Sequence, residues 1–407
     1  MRVLLLHPAF PGPFRHMASR LAGLPDSRVL FLAERGRNVR LEGVRRLSLP
    51  DVPAAERVFS PQEDEAQREM RLSMRRAAMT GNILQRLRRG GFVPDLICAS
   101  ASGGFGLYLR DIFPETLCIG YADWYHTHGG NHVFFTHGQP RPPADFAPAR
   151  VRNMLRENLL GECHAIMTSS RWQQAQFPEA LARRMDVLPE GVDTAFFAPA
   201  PAARFVVPGC DLSRAAEIVS FCGRTGEPFR GFPQFARALP TLLRLRPACH
   251  VVIMASGADK AALEKLRAEL GAACAEHAGR VHVLGFCSPT DYRLLLQATT
   301  VHVYLTAPFT LSAGLFEALS CGCLLLGSRT EPVLEVVRQG ENGFLCDFWD
   351  ADGMAAQLAE LLAHAPALTD IRRHARRHME AHYAAGQQAM RQLRWLQECF
   401  QTFRRTA

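Results

Sequence analysis

Glu217-Ile218-Val219-Ser220-Phe221-Cys222-Gly223-Arg224-Thr225-Gly226-Glu227-Pro228-Phe229-Arg230-Gly231-Phe232-Pro233 is the stretch that decides the fold. Its first residues form a mostly apolar run, the pattern of a strand buried on both faces. A glycine-bearing turn follows. Pro233 then stands close to the first turn of the next helical segment, where its missing N–H costs little. Strand, glycine turn and helix together make half of a parallel βαβ unit. The spacing is neither G-x-G-x-x-G nor that of a Walker A loop. The loop does carry two guanidinium groups, on Arg224 and Arg230. Placed there they could grip a diphosphate from both sides, or stand as two solvated loop arginines.

The same alternation of apolar run and helix recurs outward in both directions. The runs fall at residues 3–7, 28–34, 95–100, 117–123, 165–170 and 186–191, then at 217–223, 250–256, 281–286, 301–306, 323–328 and 343–348. Two sets of six predict an α/β chain of two doubly wound parallel-sheet domains. The Pro/Ala-rich segment Phe196-Phe197-Ala198-Pro199-Ala200-Pro201 lacks periodicity and reads as a linker. The expected domains are therefore 1–197 and 198–384. A C-terminal helix, 385–407, carries Met390, Leu393, Leu396, Phe400 and Phe403 at three- and four-residue steps and is expected to pack back on the first domain. In open sheets ligands bind beyond the carboxyl ends of the strands, so the chemistry is sought just after strands, with the cleft between two such domains as the default site.

One such place is Pro308-Phe309-Thr310-Leu311-Ser312-Ala313-Gly314-Leu315-Phe316-Glu317-Ala318-Leu319-Ser320-Cys321-Gly322. A helix is predicted from near Ser312, whose hydroxyl is available as N-cap, to a stop at Gly322. Its first turn would offer free N–H groups and a positive dipole end, a seat for phosphate. Glu317 lies amid apolar neighbours and needs a partner, either ribose hydroxyls or a nearby arginine.

Composition excludes other classes. The chain has 407 residues, 48% hydrophobic and 21% charged, as in ordinary globular proteins and unlike disordered, collagenous or disulfide-stapled ones. No apolar run approaches the roughly 20 residues of a membrane span. The opening Met1-Arg2-Val3-Leu4-Leu5-Leu6 is too short for a signal peptide, so a cytoplasmic protein is expected. None of the 12 cysteines forms a C-x-x-C pair; buried thiols are expected, and zinc is not. The net charge of +8, almost all arginine, suits phosphate or anionic lipid better than nucleic acid, for which no module is present. Residues 67–89 carry seven arginines and could lie on an anionic membrane. Asp350-Ala351-Asp352 reads as a helix cap rather than a metal motif.

On the Arg224…Arg230-Gly231 loop, the Glu317 helix and Gly340-Glu341-Asn342-Gly343-Phe344-Leu345, the chain resembles the retaining glycosyltransferases of family 4, which have the GT-B architecture of two Rossmann-like domains facing across a cleft. In that family the loop reads G-R-x…K-G and its basic pair binds the donor diphosphate; here Arg230 stands where lysine is usual. An E-x7-E motif binds the nucleotide sugar. Glu317 matches its second glutamate, which holds the ribose. The first, which contacts the donor sugar, is replaced by Phe309. His7-Pro8-Ala9-Phe10-Pro11-Gly12-Pro13-Phe14 is similar to an H-x-x-F-P-G opening in a bacterial subgroup, and Pro308-Phe309-Thr310-Leu311-Ser312 looks like a variant of the glutamate motif there. Gly12 would let backbone approach a phosphate or sugar. Gly120-Tyr121-Ala122-Asp123-Trp124-Tyr125-His126-Thr127-His128-Gly129 resembles an aromatic segment of the same subgroup, and Glu190-Gly191-Val192-Asp193 reads as the start of the hinge.

The resemblance implies transfer of a sugar, with retention, from a nucleotide diphosphate sugar to a glycan, lipid-linked or other acceptor in bacterial cell-surface glycan synthesis. Uridine is the base expected first. Arg224, Arg230, His126 and Glu317 would be catalytic. Gly12, Gly223, Phe286, Thr310, Leu311 and Ser312 would join the two arginines and Glu317 in holding the donor. Phe10, Asp123, His126 and His128 would face the acceptor or the transferred sugar. No cofactor and no metal are expected; the partners are the nucleotide sugar, the acceptor and an anionic membrane surface. A sugar-nucleotide epimerase and a nucleotide-sugar-binding protein without turnover stay open as alternatives, the second because of Phe309.

Overall fold

The computed structural model describes residues 1–36, 39–50, 63–127, 135, 146–285 and 287–406. They fall into two compact units. The first takes residues 1–129, 139–191 and 385–407; the second takes 130–138 and 192–384.

The first unit is built on seven parallel strands: β1 (Arg2–Leu6), β2 (Arg28–Ala33), β3 (Val44–Ser48), β4 (Leu96–Ser100), β5 (Leu117–Tyr121), β6 (Ala165–Thr168) and β7 (Met185–Val187). Their order is β3-β2-β1-β4-β5-β6-β7, so the chain reverses direction across the sheet between β1 and β4. Both faces are covered, which is why the inner strands are largely apolar. From β1, Leu4 and Leu6 point into one core while Val3 and Leu5 point into the other. Helix α1 (Arg15–Ala22) contributes Met17 and Leu21 to the second of these cores. Helices α2 (Glu65–Arg89) and α3 (Ala147–Glu162) contribute Leu84, Leu159 and Leu160 to the first. Asp64 caps α2 in a reciprocal pair with Gln67.

The second unit has six parallel strands: β8 (Glu217–Gly223), β9 (Cys249–Ala255), β10 (Val281–Leu284), β11 (Val301–Tyr304), β12 (Leu324–Ser328) and β13 (Phe344–Cys346). Their order, β10-β9-β8-β11-β12-β13, places the reversal between β8 and β11. On one face α4 (Phe232–Leu245) buries Phe235, Leu239 and Leu242 together with Met354 and Leu358 of α6 (Ala351–His364). On the other, α5 (Ala313–Ser320) and α7 (Thr369–His382) meet through Leu315, Leu319, Ala375 and Met379. The last helix, α8 (Ala385–Thr406), belongs to the first unit and packs Leu393, Leu396, Phe400 and Phe403 against the β1–β2 face of its core.

The twelve apolar runs all form strands, and both sheets are doubly wound and parallel. The seventh strand of the first sheet, β3, is additional. It reads Val-Arg-Arg-Leu-Ser and lies at the sheet edge, where its residues are half-buried or exposed and arginine is tolerated. The division between units falls between Gly191 and Val192, six residues before the expected boundary at 197. Packing explains the shift. Val192 N donates to the Tyr383 carbonyl at 2.7 Å, and Arg376 Nη1 donates to the carbonyls of Thr194 and Phe197 at 2.8 Å each. The first residues of the predicted linker are thereby fastened to the second unit. Phe135 also joins that unit, packing its ring 5.0 Å from Phe348 and 5.5 Å from Trp349.

Candidate functional site

In the second unit the switch point lies where β8 and β11 run side by side, pairing Val219 with Val301 and Phe221 with Val303. The loops that leave these two strands carry Arg224 to Gly231 and Pro308 to Ser312. They are fastened to each other. Ala307 N donates to the Phe229 carbonyl at 2.7 Å, and Arg230 Nη1 donates to the Thr310 carbonyl at 2.9 Å. Gly231 permits this approach: its φ is +75°, and a Cβ there would lie 2.3 Å from the Cβ of Leu305. Glu227 bridges the two arginines, accepting from Arg224 Nη1 at 2.9 Å and lying 3.5 Å from Arg230 Nε. The arginines differ in surroundings. Arg224 is 66% exposed at its side chain, Arg230 only 17%.

Helix α5 starts beside them. Ser312 occupies the N-cap position, but its hydroxyl makes no capping bond; it donates to the Tyr304 hydroxyl at 3.3 Å. The Ser312 N–H also donates to that hydroxyl, at 2.9 Å. The expectation of a serine cap is corrected on this point, because Tyr304 at the end of β11 reaches the serine first. The Ala313 and Gly314 N–H groups have no partner among the described residues and remain as the positive end of the helix. Gly322 ends α5 at φ +71°, as the sequence predicts. Glu317 is half-buried on α5, and its charge helps push the Tyr292 hydroxyl and the Cys222 thiol upward, although burial is the larger cause in both. Gly223 ends β8, and Leu311 lies partly buried between Thr310 and Ser312. Phe286 lies outside the described residues.

A second polar cluster sits at the carboxyl ends of the strands in the first unit. Asp123 follows β5. Its Oδ2 accepts from the Ser102 hydroxyl, and its Oδ1 lies 3.8 Å from Arg156 Nε on α3. Arg156 is 7% exposed, and burial lowers its affinity for a proton, opposed by the charge of Asp123. The side chain of Asn153 clasps the backbone of His126 on both sides: Oδ1 accepts from His126 N at 2.9 Å and Nδ2 donates to His126 O at 2.8 Å. Trp124 Nε1 donates to His126 Nδ1 at 3.3 Å, which selects the tautomer with its proton on Nε2. Alongside, Tyr121 bonds Ser169 at 2.8 Å and donates to Glu190 at 3.3 Å, and burial raises the Glu190 carboxyl above its usual range.

Two sequence expectations change here. Phe10 is 4% exposed and packs edge-on to Phe31 at 4.9 Å, so it is a core residue and not an acceptor contact. Gly12 has φ +50°, and a Cβ there would meet His7 Nδ1 at 2.4 Å; the close approach that demands glycine is to the His7 ring. His128 lies outside the described residues. Ser102, Asn153 and Arg156 join the cluster without having been singled out, and Glu190, read from sequence only as the start of the hinge, joins it too. Ser102-Gly103-Gly104 follows a buried strand at the switch point of the first sheet and could have been found on that ground. Asn153 and Arg156 look like the polar face of an amphipathic helix, and nothing in the sequence marks them otherwise.

Among the described residues no group of three His, Cys, Asp or Glu side chains is placed to hold a metal ion. Asp350 accepts from Gly353 N at 2.8 Å, the helix-capping geometry expected of it.

Comparison with known proteins follows the same division. Residues 25–197 match the glycosyl transferase family 4 group, and residues 216–364 match the glycosyl transferases group 1. The fold is that of the GT-B glycosyltransferases. This GT-B chain is 29% identical over 210 residues to the phosphatidyl-myo-inositol mannosyltransferase of Mycolicibacterium smegmatis, covering 51% of itself and 49% of that protein. It thus spans about half the length of the curated relatives it matches. Two solved structures share its fold. HepE of Anabaena, crystallised with UDP and glucose, superposes with a TM-score of 0.68 at 17% identity, over 98% of this chain and 99% of that one. Sucrose-phosphate synthase of Thermosynechococcus elongatus gives 0.71 at 16%, over 99% and 100%.

Proposed function

We propose that the protein is a retaining glycosyltransferase that takes a nucleotide diphosphate sugar, with UDP-sugars first, and transfers the sugar to a glycan, lipid-linked or other acceptor. The observation that carries this reading is the fastening of Arg230 beside the open N-terminus of α5 at the switch point of the second sheet. There the guanidinium groups of Arg230 and Arg224 and the Ala313 and Gly314 N–H groups would stabilise charge growing on the leaving diphosphate. Such pre-placed donors are worth on the order of 3 kcal/mol each in a transition state. Glu317 would bind the ribose. In the first unit, Asp123 and His126 would bind hydroxyls of the acceptor or of the transferred sugar, with the Nε2–H of His126 as donor.

Retention by front-face attack, with the departing phosphate taking the acceptor's proton, needs neither a carboxylate pair nor a metal, and we propose both features for this chain. A lipid-linked acceptor is supported by the name of the mycobacterial relative. No helix among the described residues is long and apolar enough to cross a membrane. The basic stretch on α2 offers less to an anionic surface than its composition suggests. Arg71 pairs with Glu63, Arg76 pairs with Glu34, and Arg88 donates to the Ile112 carbonyl. Cytoplasmic placement and peripheral contact through the exposed Arg86 and Arg89 are part of the proposal.

The test is to incubate the protein with UDP-glucose, UDP-galactose and GDP-mannose, each with and without a phosphatidylinositol or glycan acceptor, and to follow the anomeric proton by NMR. Acceptor-dependent product of unchanged anomeric configuration is expected. Conversion of the nucleotide sugar without acceptor would show an epimerase. Binding without turnover across the panel would leave a nucleotide-sugar-binding protein.

A further inference from the structure

Arg230 is held by more than its hydrogen bond. The Phe229 and Phe309 rings meet edge to face at 4.9 Å, and the Arg230 guanidinium lies 5.3 Å from the first ring centroid and 4.9 Å from the second. A cation at these distances from ring centroids is attracted by the ring quadrupole, most strongly where water is excluded, and Arg230 is 17% exposed. Two aromatic rings therefore form a corner around the cation. Its Nη1 is tied to Thr310 O and its Nε faces Glu227. Nη2 has no partner among the described residues and is the group left to meet a ligand.

We propose that Phe309 is a positioning residue for Arg230. Its ring face fixes the plane of the guanidinium so that Nη2 is presented to a diphosphate. On this account the aromatic at 309 is a working substitution for the glutamate expected there and not the mark of a retired site. The ring holds Arg230 without taking up its hydrogen bonds. The inference rests on the reading of this loop as the diphosphate site.

The experiment measures binding of UDP and GDP, and of UMP and GMP, by calorimetry to the native chain and to Phe309→Leu, Phe309→Tyr and Arg230→Ala. Leucine keeps the apolar volume and removes the π face; tyrosine keeps both. Phe309→Leu is expected to bind the preferred nucleoside diphosphate about tenfold more weakly while binding the monophosphate as the native chain does. Phe309→Tyr should stay within about twofold of native for both. A merely structural role would weaken monophosphate and diphosphate alike, or leave both unchanged, and either result overturns the proposal. Loss of melting temperature in Phe309→Leu matched by failure of Phe309→Tyr to restore diphosphate binding would overturn it too. If Arg230→Ala binds the diphosphate as the native chain does, the underlying site reading fails, and that outcome is distinct from a failure confined to Phe309.

Discussion

Arg230 Nη1 donates to the Thr310 carbonyl at 2.9 Å, so the loop that leaves β8 is fastened to the loop that leaves β11. The two strands are neighbours at the point where the sheet reverses its winding, and a doubly wound sheet opens its ligand crevice there. The fold sets the position of the two cations, and this hydrogen bond helps aim Arg230.

Arg224→Ala and Arg230→Ala should therefore differ. Arg230 is largely shielded and pre-oriented, and a hydrogen bond to a charged group is worth about 1.5–3 kcal/mol, so its loss should weaken nucleoside diphosphate binding about tenfold to a hundredfold. Arg224 is 66% exposed and should cost less, within about tenfold. Arg224→Ala should melt close to native, while Arg230→Ala should lose about 1 kcal/mol with its bond to the Thr310 carbonyl. Titration of each with UDP and GDP checks the order; equal effects would count against the role given to the fastening.

Gly231→Ala should damage the fold of the loop. It combines φ +75° with a Cβ placed 2.3 Å from the Leu305 Cβ, a clash that backbone movement must relieve. A loss on the order of 2 kcal/mol or more is expected. Gly226→Ala, three residues after Gly223 in the same loop, would meet nothing within 4 Å and should be close to neutral. Denaturant melts of the two variants make the comparison.

Asn153 is 2% exposed and spends its amide on both backbone groups of His126. Asn153→Ala should remove two hydrogen bonds, about 2 kcal/mol of stability, and lower transfer activity by releasing the segment that carries His126. Asn153→Asp keeps the acceptor for His126 N but sets a carboxylate against His126 O, and should be at least as harmful. Stability and turnover measured together test this. An alanine variant that is destabilised yet fully active would separate Asn153 from function.

His302 lies in the second sheet at 1% exposure, its Nδ1 2.8 Å from the Ser220 hydroxyl, and burial pushes its pKa down to about 4. The folded chain thus keeps it neutral, while the unfolded chain protonates it below about 6.5. Between those values the unfolded state binds more protons, so stability is full above about pH 6.5 and falls as pH drops toward 4. The full shift corresponds to roughly 3 kcal/mol. Burial lowers the pKa of His250 and His282 as well and acts in the same sense. Melting midpoints at pH 7.5, 6 and 5 should decline, and His302→Gln should flatten the slope. A slope unchanged in that variant would contradict the assignment.

Much of this was legible in the chain because strands buried on both faces must be apolar along their length. Runs such as residues 3–7 and 301–306 therefore announced themselves, and so did the loops that follow them. The edge strand β3 escaped because Arg45 and Arg46 interrupt its apolar pattern. Phe10 misled in the other direction: next to a proline and a glycine it reads as a loop aromatic, yet the core around Phe31 claims it. The partners of Asp123 and His126 come from α3, some 30 residues further along, and pairing across that distance leaves no local trace. Nor does sequence show that Phe309 lies against Arg230, since the two are joined only by the neighbouring of β8 and β11.

The central claim is that the second unit grips a nucleoside diphosphate through Arg230 and the start of α5. Calorimetric titration of the full chain with UDP and GDP in the presence of EDTA, alongside Arg230→Ala, tests it most directly. The account predicts saturable binding of one of them without metal, weakened at least tenfold in the variant. No binding of either, or equal binding by native and variant chains, would contradict it.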